Sequence, residues 1–369
     1  MQTQDQPKHN VGLPSALVIG GCGQLGYYIV KALLHDKGFG TIHVFSRNPT
    51  SNILPEVEYL AGDLGCRTDI EKLLSTVNPV VIFHCSSPSS NSRDLKIFHN
   101  VNVAGTKHLL QCARANVSTK AIIYTSSTSI VQGPHEYTEE TRSYISTTPS
   151  IVQSNYYPIT KSIGDRLVLA ANEPKTLLTC SLRIAPLIGE RDQQMIPPMI
   201  KAFHNNRQHY QIGNNTTLFD LVSVHNAAKA HILAAHALLK SSNDSNAAKV
   251  DGEAFFITGG YPMLFWDFSR AVYREAGDRT PKEVIMIIPT WLVLGFAILA
   301  EFVFGVLTLG RKAPPGLRPF EIRYITSEET FSIEKARKRL GYDPVDDREE
   351  SIRAGVAWCL KQLADTKQR

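Results

Sequence analysis

The stretch ALVIGGCGQLGYYIVKALL (16–34) constrains this chain more than any other. A short apolar run leads into a turn with the spacing Gly20-x-x-Gly23-x-x-Gly26, and helical periodicity follows at once. That is the pattern of a buried strand, a tight turn and a helix entered from the sheet. Glycines there let the backbone turn sharply and approach a pyrophosphate, while the helix N-terminus offers N–H groups and positive potential. Glycine also gathers in turns for purely steric reasons, so the motif takes its weight from its position between strand and helix. Gly20, Gly23, Gln24, Leu25 and Gly26 are the expected dinucleotide cradle.

The same alternation continues downstream. Apolar runs at 41–47, 57–64, 79–87, 120–130 and 176–189 read as further strands, with helical patterns between several of them. Strands alternating with crossover helices imply an α/β fold, a Rossmann-type doubly wound parallel sheet covered on both faces. We expect a flexible polar tail over 1–14, a dinucleotide-binding domain over 15–190, and a smaller, mainly helical substrate- and membrane-facing region over 191–369. Segments near 220–260, including GEAFFITGG (252–260), are expected to return to the first domain in part. No internal repeat is visible.

Composition removes several function classes. With 43% hydrophobic and 20% charged residues the chain can build a sizeable core. A net charge of +5, spread evenly, does not favour nucleic acid. The six cysteines form no CxxC pair, which argues against a disulfide scaffold or structural zinc and for a reducing compartment. The polar first dozen residues do not read as a secretory signal. His225, His231 and His236 share one helical stretch but not an i+3 or i+4 spacing, so no metal site is expected.

One segment stands apart. VIMIIPTWLVLGFAILA (284–300) carries no charge, and after Glu301 the apolar character continues to about residue 310. A membrane span needs about 20 apolar residues. Pro289, Gly295 and Glu301 weaken a simple span, while Arg311, Lys312 and Arg318 follow where basic residues meet lipid headgroups. Two readings stand: a buried helical pair, or membrane attachment through 284–310, spanning or monotopic.

The second strand ends Phe45, Ser46, Arg47, Asn48, where an NAD-binding chain places a carboxylate for the ribose hydroxyl. A carboxylate repels a 2′-phosphate, whereas Ser46 beside Arg47 can bind one through charge-assisted hydrogen bonds. NADP(H) is therefore favoured over NAD(H).

SNYYPITKSIGD (154–165) contains Tyr157-x-x-x-Lys161. Positions four apart share a helix face, and a neighbouring ammonium is expected to draw the phenol down from its ordinary pKa of about 10. A carbonyl–alcohol redox reaction needs such a group to exchange the hydroxyl proton. Tyr156 has Thr160 as its i+4 partner, so spacing selects Tyr157. The fifth strand ends in the hydroxyl-rich run Tyr124–Thr128, where parallel strands deliver ligand-binding groups.

Taken in order, VIGGCGQLG, AGDL (61–64), FHCSS (83–87), VNVAGTKHLLQCA (101–113), IYTSS, Tyr157/Lys161, LRIAPLIG, FDLVSVHNAAKAHILAA, GEAFFITGG and ARKRLGYDP resemble the 3β-hydroxysteroid dehydrogenase family of extended short-chain dehydrogenases/reductases. The nearest branch is the decarboxylating sterol-4α-carboxylate 3-dehydrogenases, and the likeness runs over about residues 15–362. It implies Tyr157 as acid/base, Lys161 as its activator and ribose ligand, and Ser127 as the hydroxyl orienting the carbonyl. It implies adenine contacts at Asp63 and Leu64, a strand end beneath the nicotinamide ribose at Cys85, Ser86 and Ser87, and a carboxamide turn at Pro186 and Leu187. Gln24, Ser46 and Asp165 depart from the usual aromatic, Asp and Glu. The expected function is NAD(P)-dependent interconversion of a hydroxyl and a ketone on a steroid or polycyclic terpenoid, with decarboxylation where a carboxylate lies β to the ketone. The expected location is the cytosolic face of the endoplasmic reticulum membrane, and a homodimer is left open. Two alternatives share part of the pattern: a nucleotide-sugar epimerase or dehydratase, and a non-catalytic NADP(H)-binding scaffold.

Overall fold

The computed structural model describes residues 12–90, 92, 94–132, 143–144, 156–241, 248–308 and 318–367. Most of the expected tail (1–11), the end of the apolar segment (309–310), Arg311 and Lys312 lie outside the described residues.

Seven strands form one sheet: β1 (Ala16–Ile19), β2 (Ile42–Ser46), β3 (Glu58–Ala61), β4 (Val81–His84), β5 (Ala121–Ser127), β6 (Leu178–Ile184) and β7 (Glu253–Ile257). Their order is β7-β6-β5-β4-β1-β2-β3, and every pairing is parallel. The alternation of side chains across a strand decides which helices cover which face. Leu17 and Ile19 point into a core with Ile70, Leu73 and Leu74 of α2 (Arg67–Val77). The same core takes Leu109 and Leu110 of α4 (Thr106–Ala115) and Val168 of α5 (Tyr156–Ala170), α3 being the single turn Leu95–Phe98. Ala16 and Val18 point the other way, against Ile29 and Leu33 of α1 (Gln24–His35) and the small residues Ala227, Ala230 and Ala234 of α6 (Val224–Ser241). Both faces are therefore apolar, which is why the inner strands read as unbroken apolar runs.

This unit comprises residues up to Leu187, then Val222–Thr258 and Ser332–Val345. The last piece supplies α7 (Glu334–Leu340), whose Ala336 and Leu340 join the α1/α6 core, and Tyr342, whose hydroxyl donates to the Thr258 carbonyl. A parallel sheet has all its strand C-termini on one edge. Gly20, Ser46, Cys85, Ser127 and Pro186 each end or follow a strand and so share that edge.

The second unit holds Ile188–Leu221, Gly259–Phe331 and Asp346 onward. Helices Ile196–His204, Phe265–Glu275 and Arg348–Lys367 enclose its core, including Ile200, Phe268, Val272 and Val356. The apolar segment is split by Pro289 into a strand, Met286–Ile288, paired in parallel with Tyr210–Ile212, and a helix, Thr290–Leu307. The helix runs unbroken through Gly295 and Glu301, with a mean hydropathy of 2.1. Only 6% of it is buried. Val293, Leu294 and Ala297 dock on Ile212 and Ile322, while Trp291, Phe296, Phe302 and Leu307 are each more than 60% exposed. A buried helical pair is thus not what forms: the helix is apolar all round, and its neighbours cover one stripe of it.

Candidate active site

The glycine turn shows why it needs glycine. Gly20 has φ +85°, and a Cβ there would lie 2.9 Å from the Ser86 Cα. A Cβ on Gly26 would lie 2.2 Å from the Gly20 carbonyl oxygen, so α1 can start this close to the turn only without a side chain. Gly23 caps α1 with no side-chain hydrogen bond, and the first turn, opening with Gln24 and Leu25, holds no acidic residue. This fits a pyrophosphate at the helix N-terminus. Asn52, at φ 55°, ties the turn down from outside by donating Nδ2 to the Cys22 carbonyl at 2.8 Å. Nothing in the spacing of the glycines pointed to Asn52.

Ser46 stands half-buried at the end of β2, and Arg47 beyond it is exposed. The Cys22 thiol hydrogen-bonds Ser46, and burial pushes that thiol's pKa up against this bond. Asp63 and Leu64 follow β3 at the same edge. One Asp63 carboxylate oxygen accepts the Gly65 N–H at 2.8 Å, and the Leu64 side chain is buried against Gly105. Cys85, Ser86 and Ser87 follow β4. Burial pushes the Cys85 thiol up to about 12, against a hydrogen bond with Thr125 and the charge of Lys161. Pro186 is fixed by its carbonyl, which accepts the Val222 N–H at 3.0 Å, and Leu187 packs on the sheet core.

Ser127 and Tyr157 meet. The Ser127 hydroxyl hydrogen-bonds the phenol and lies 2.9 Å from the Ser129 hydroxyl, and it also accepts the Ser129 N–H. The Tyr157 ring stands edge-on to Phe98, centroids 6.1 Å apart. Burial pushes the phenol above its ordinary value, with the Ser127 bond pulling it back. This corrects the expected lowering by Lys161. The ammonium here donates to the Thr125 carbonyl and sits 4.1 Å from the centre of the Tyr124 ring.

Lys161 is 2% exposed. Burial drives its pKa down to about 7, against the charges of Asp165 and Cys85. Asp165 lies one helical turn further along and is wholly buried. Burial works to raise its pKa, but the charge of Arg183 at 2.8 Å and hydrogen bonds from Arg183 and Ser181 hold it below the usual carboxylate range. The sequence reading noted Asp165 only as a departure from Glu. Its i, i+4, i+8 spacing from Tyr157 and Lys161 was the available signal for an anionic partner on the same face.

Two further groups had no sequence signal. His99–Gly105 is a π-helical turn, a feature frequent at functional sites. Its buried Asn102 donates to the Thr160 hydroxyl at 3.0 Å, and its carbonyl lies where a Cβ on Gly164 would intrude at 2.8 Å. On the other face, His231 Nδ1 is 2.7 Å from the Ala227 carbonyl and Nε2 is 2.8 Å from the Thr125 hydroxyl. A carbonyl only accepts, so the proton is on Nδ1 and Nε2 accepts from Thr125. Burial lowers the ring's pKa to about 4 and so keeps it neutral, while the Ala227 bond pulls the other way. Among the described residues no group of three His, Cys, Asp or Glu side chains could hold a metal ion.

A doubly wound parallel sheet, a glycine turn with room for a pyrophosphate, and a Ser–Tyr hydroxyl pair one helical turn from a buried lysine fit one class. This is an NAD(P)-dependent oxidoreductase acting on CH–OH groups, an extended short-chain dehydrogenase/reductase. Within that class the chain belongs to the 3-beta hydroxysteroid dehydrogenase/isomerase family, which it matches over residues 17–288. It is 34% identical to the decarboxylating sterol-4-alpha-carboxylate 3-dehydrogenase of Schizosaccharomyces pombe, over 93% of this chain and 97% of that one. The human enzyme of the same name is 31% identical over 96% of this chain and 92% of its own length. Among solved structures, gox2253 superposes with a TM-score of 0.72 at 22% identity, covering 95% of this chain and 98% of that one. UDP-glucose 4-epimerase of Thermotoga maritima does so at 0.67 and 18%, covering 95% and 99%. At such identities the likeness is one of fold.

Proposed function

We propose that the chain oxidises the 3β-hydroxyl of a sterol carrying a 4α-carboxylate, with NADP(H) preferred, and that the resulting ketone loses the carboxylate as CO2. The meeting of the Ser127 and Tyr157 hydroxyls, one helical turn from the buried Lys161, supports the reading. The names of relatives matching over nine-tenths of the chain supply the substrate class.

In this reading Gly20, Gly23, Gln24, Leu25 and Gly26 hold the pyrophosphate, and Asp63 and Leu64 flank the adenine. Ser46 and Arg47 take the 2′-phosphate. Cys85, Ser86 and Ser87 lie under the nicotinamide ribose, with Pro186 and Leu187 beside the carboxamide. A nicotinamide bound there would supply the acceptor for the hydride of the carbinol carbon. Ser127 donates a hydrogen bond to the substrate oxygen and holds it against the phenol. Tyr157 accepts the hydroxyl proton as its phenolate, with Lys161 one helical turn away on the same face. A ketone β to a carboxylate then activates the bond between them. The C4–carboxylate bond breaks, its electron pair passes into the enolate, and the hydroxyls of Ser127 and Tyr157 stabilise that oxyanion. The exposed face of Met286–Leu307 suits attachment to the cytosolic side of the endoplasmic reticulum, where such a substrate is dissolved.

Detergent-purified protein supplied with a carboxyl-labelled 4α-carboxy-3β-hydroxysterol should reduce NADP+ and release labelled CO2 in equal amounts. Arg47→Ala should raise the KM for NADP+ by about ten-fold or more, as expected when a charge-assisted phosphate contact is lost, and leave that for NAD+ within two-fold. Failure to transfer hydride from any 3β-hydroxysterol would contradict the substrate reading. An unchanged NADP+ KM in Arg47→Ala would contradict the cofactor preference.

A further inference from the structure

A cavity of about 630 Å3 lies in the second unit, lined by the end of helix Phe265–Glu275 and by the segment that leads up to the strand Met286–Ile288. Four cations line it, Arg270, Arg274, Arg279 and Lys282, against two carboxylates, Glu275 and Asp278. Glu275 is paired outside the lining, while Asp278 is held by Thr280 within it. Asp278 accepts from the Thr280 N–H and hydroxyl at 3.1 and 2.6 Å, and Glu275 pairs with Arg353 at 3.7 Å. Arg270 pairs with Asp267 at 2.5 Å. Among the described residues Arg274, Arg279 and Lys282 enter no ion pair, and all three are exposed. The cavity thus presents a surplus of positive charge that the protein does not itself neutralise.

Its position gives that charge a use. Ile285 lines the cavity, and the residues on either side of it, Val284, Met286 and Ile287, are 56%, 60% and 59% exposed. Gln208 lines it as well, and the adjacent His209 carbonyl accepts the Met286 N–H at 2.7 Å. The basic cavity and the exposed apolar strand are therefore one continuous surface. A face that buries apolar side chains among acyl chains brings whatever flanks it to the depth of the lipid phosphates. Arginine forks match phosphate oxygens in geometry as well as charge.

We propose that this cavity holds the phosphate of an anionic membrane phospholipid and so fixes the orientation in which the apolar face rests on the bilayer. The proposal rests on the membrane attachment argued above. Its test is co-sedimentation of the full-length protein with vesicles of phosphatidylcholine alone and of phosphatidylcholine with phosphatidic acid. Binding should be tighter to the second. Arg274→Ala/Lys282→Ala should lose that preference, by about five-fold per cation, the equivalent of ~1 kcal/mol each, and keep its affinity for phosphatidylcholine. Lys72→Ala/Lys107→Ala, which removes two exposed cations of the first unit, should keep the preference. Equal binding of the wild type to both vesicles would overturn the proposal, as would equal losses in the two double variants. If the wild type binds neither vesicle, the attachment itself fails and the headgroup site with it.

Discussion

At the scale of single residues, Lys161 and Asp165 carry the account. Lys161 is held at a folded-state pKa of about 7 against an ordinary 10.5. Between those values the unfolded chain binds more protons than the folded one, so stability rises with pH from about 7 to about 10.5 and is lost as pH falls back through 7. The slope for one group is ~1.4 kcal/mol per pH unit. Urea unfolding across this range should show it, and Lys161→Met should flatten the profile and be the more stable protein at pH 7. A wild-type profile flat over the range would contradict the burial argument. Asp165→Asn strands Arg183 without its partner at 8% side-chain exposure, and breaking such a buried pair costs about 3–5 kcal/mol. A loss under about 1 kcal/mol in the same assay would mean that solvent reaches the pair.

At the scale of elements, the glycine turn and Tyr157-x-x-x-Lys161 were legible because each depends on local spacing. The partners of those residues were not. His231 meets Thr125 across 106 residues of chain, and Asp165 meets Arg183 across 18, between elements whose neighbours only the sheet order decides. The π-helical turn holding Asn102 has no composition of its own, so periodicity reads it as ordinary helix. The helix Thr290–Leu307 was legible as apolar but not as exposed, because hydropathy cannot tell a core helix from one facing lipid. Replacing Trp291, Phe296 and Phe302 with Gln should move the protein from the membrane fraction toward the soluble one, since each buried aromatic contributes about 1.5–3 kcal/mol. Fractionation of cell extracts checks this, and an unchanged membrane fraction would assign attachment elsewhere.

At the scale of the molecule, the sheet could be read strand by strand, with each boundary trimmed by a few residues where polar ends fall outside the pairing. A return near 220–260 was expected from the sequence, and the one at Ser332–Val345 was not. Val222–Thr258 contributes β7 and α6 to the first unit, and Ser332–Val345 returns once more as α7. That last return is a short charged helix held by Ala336, Leu340 and Tyr342, too few apolar positions to announce themselves in sequence. What unites these scales is the end of β5, where the Ser127 hydroxyl meets Tyr157 and the Thr125 carbonyl accepts from Lys161. The most direct test is single-turnover hydride transfer from a 4α-carboxy-3β-hydroxysterol in wild type and Tyr157→Phe, with cofactor binding followed by nicotinamide fluorescence. The rate should fall by about 10²–10⁴-fold, with cofactor affinity within two-fold of the wild type. A Tyr157→Phe protein that transfers hydride at the wild-type rate would contradict the acid/base role of Tyr157.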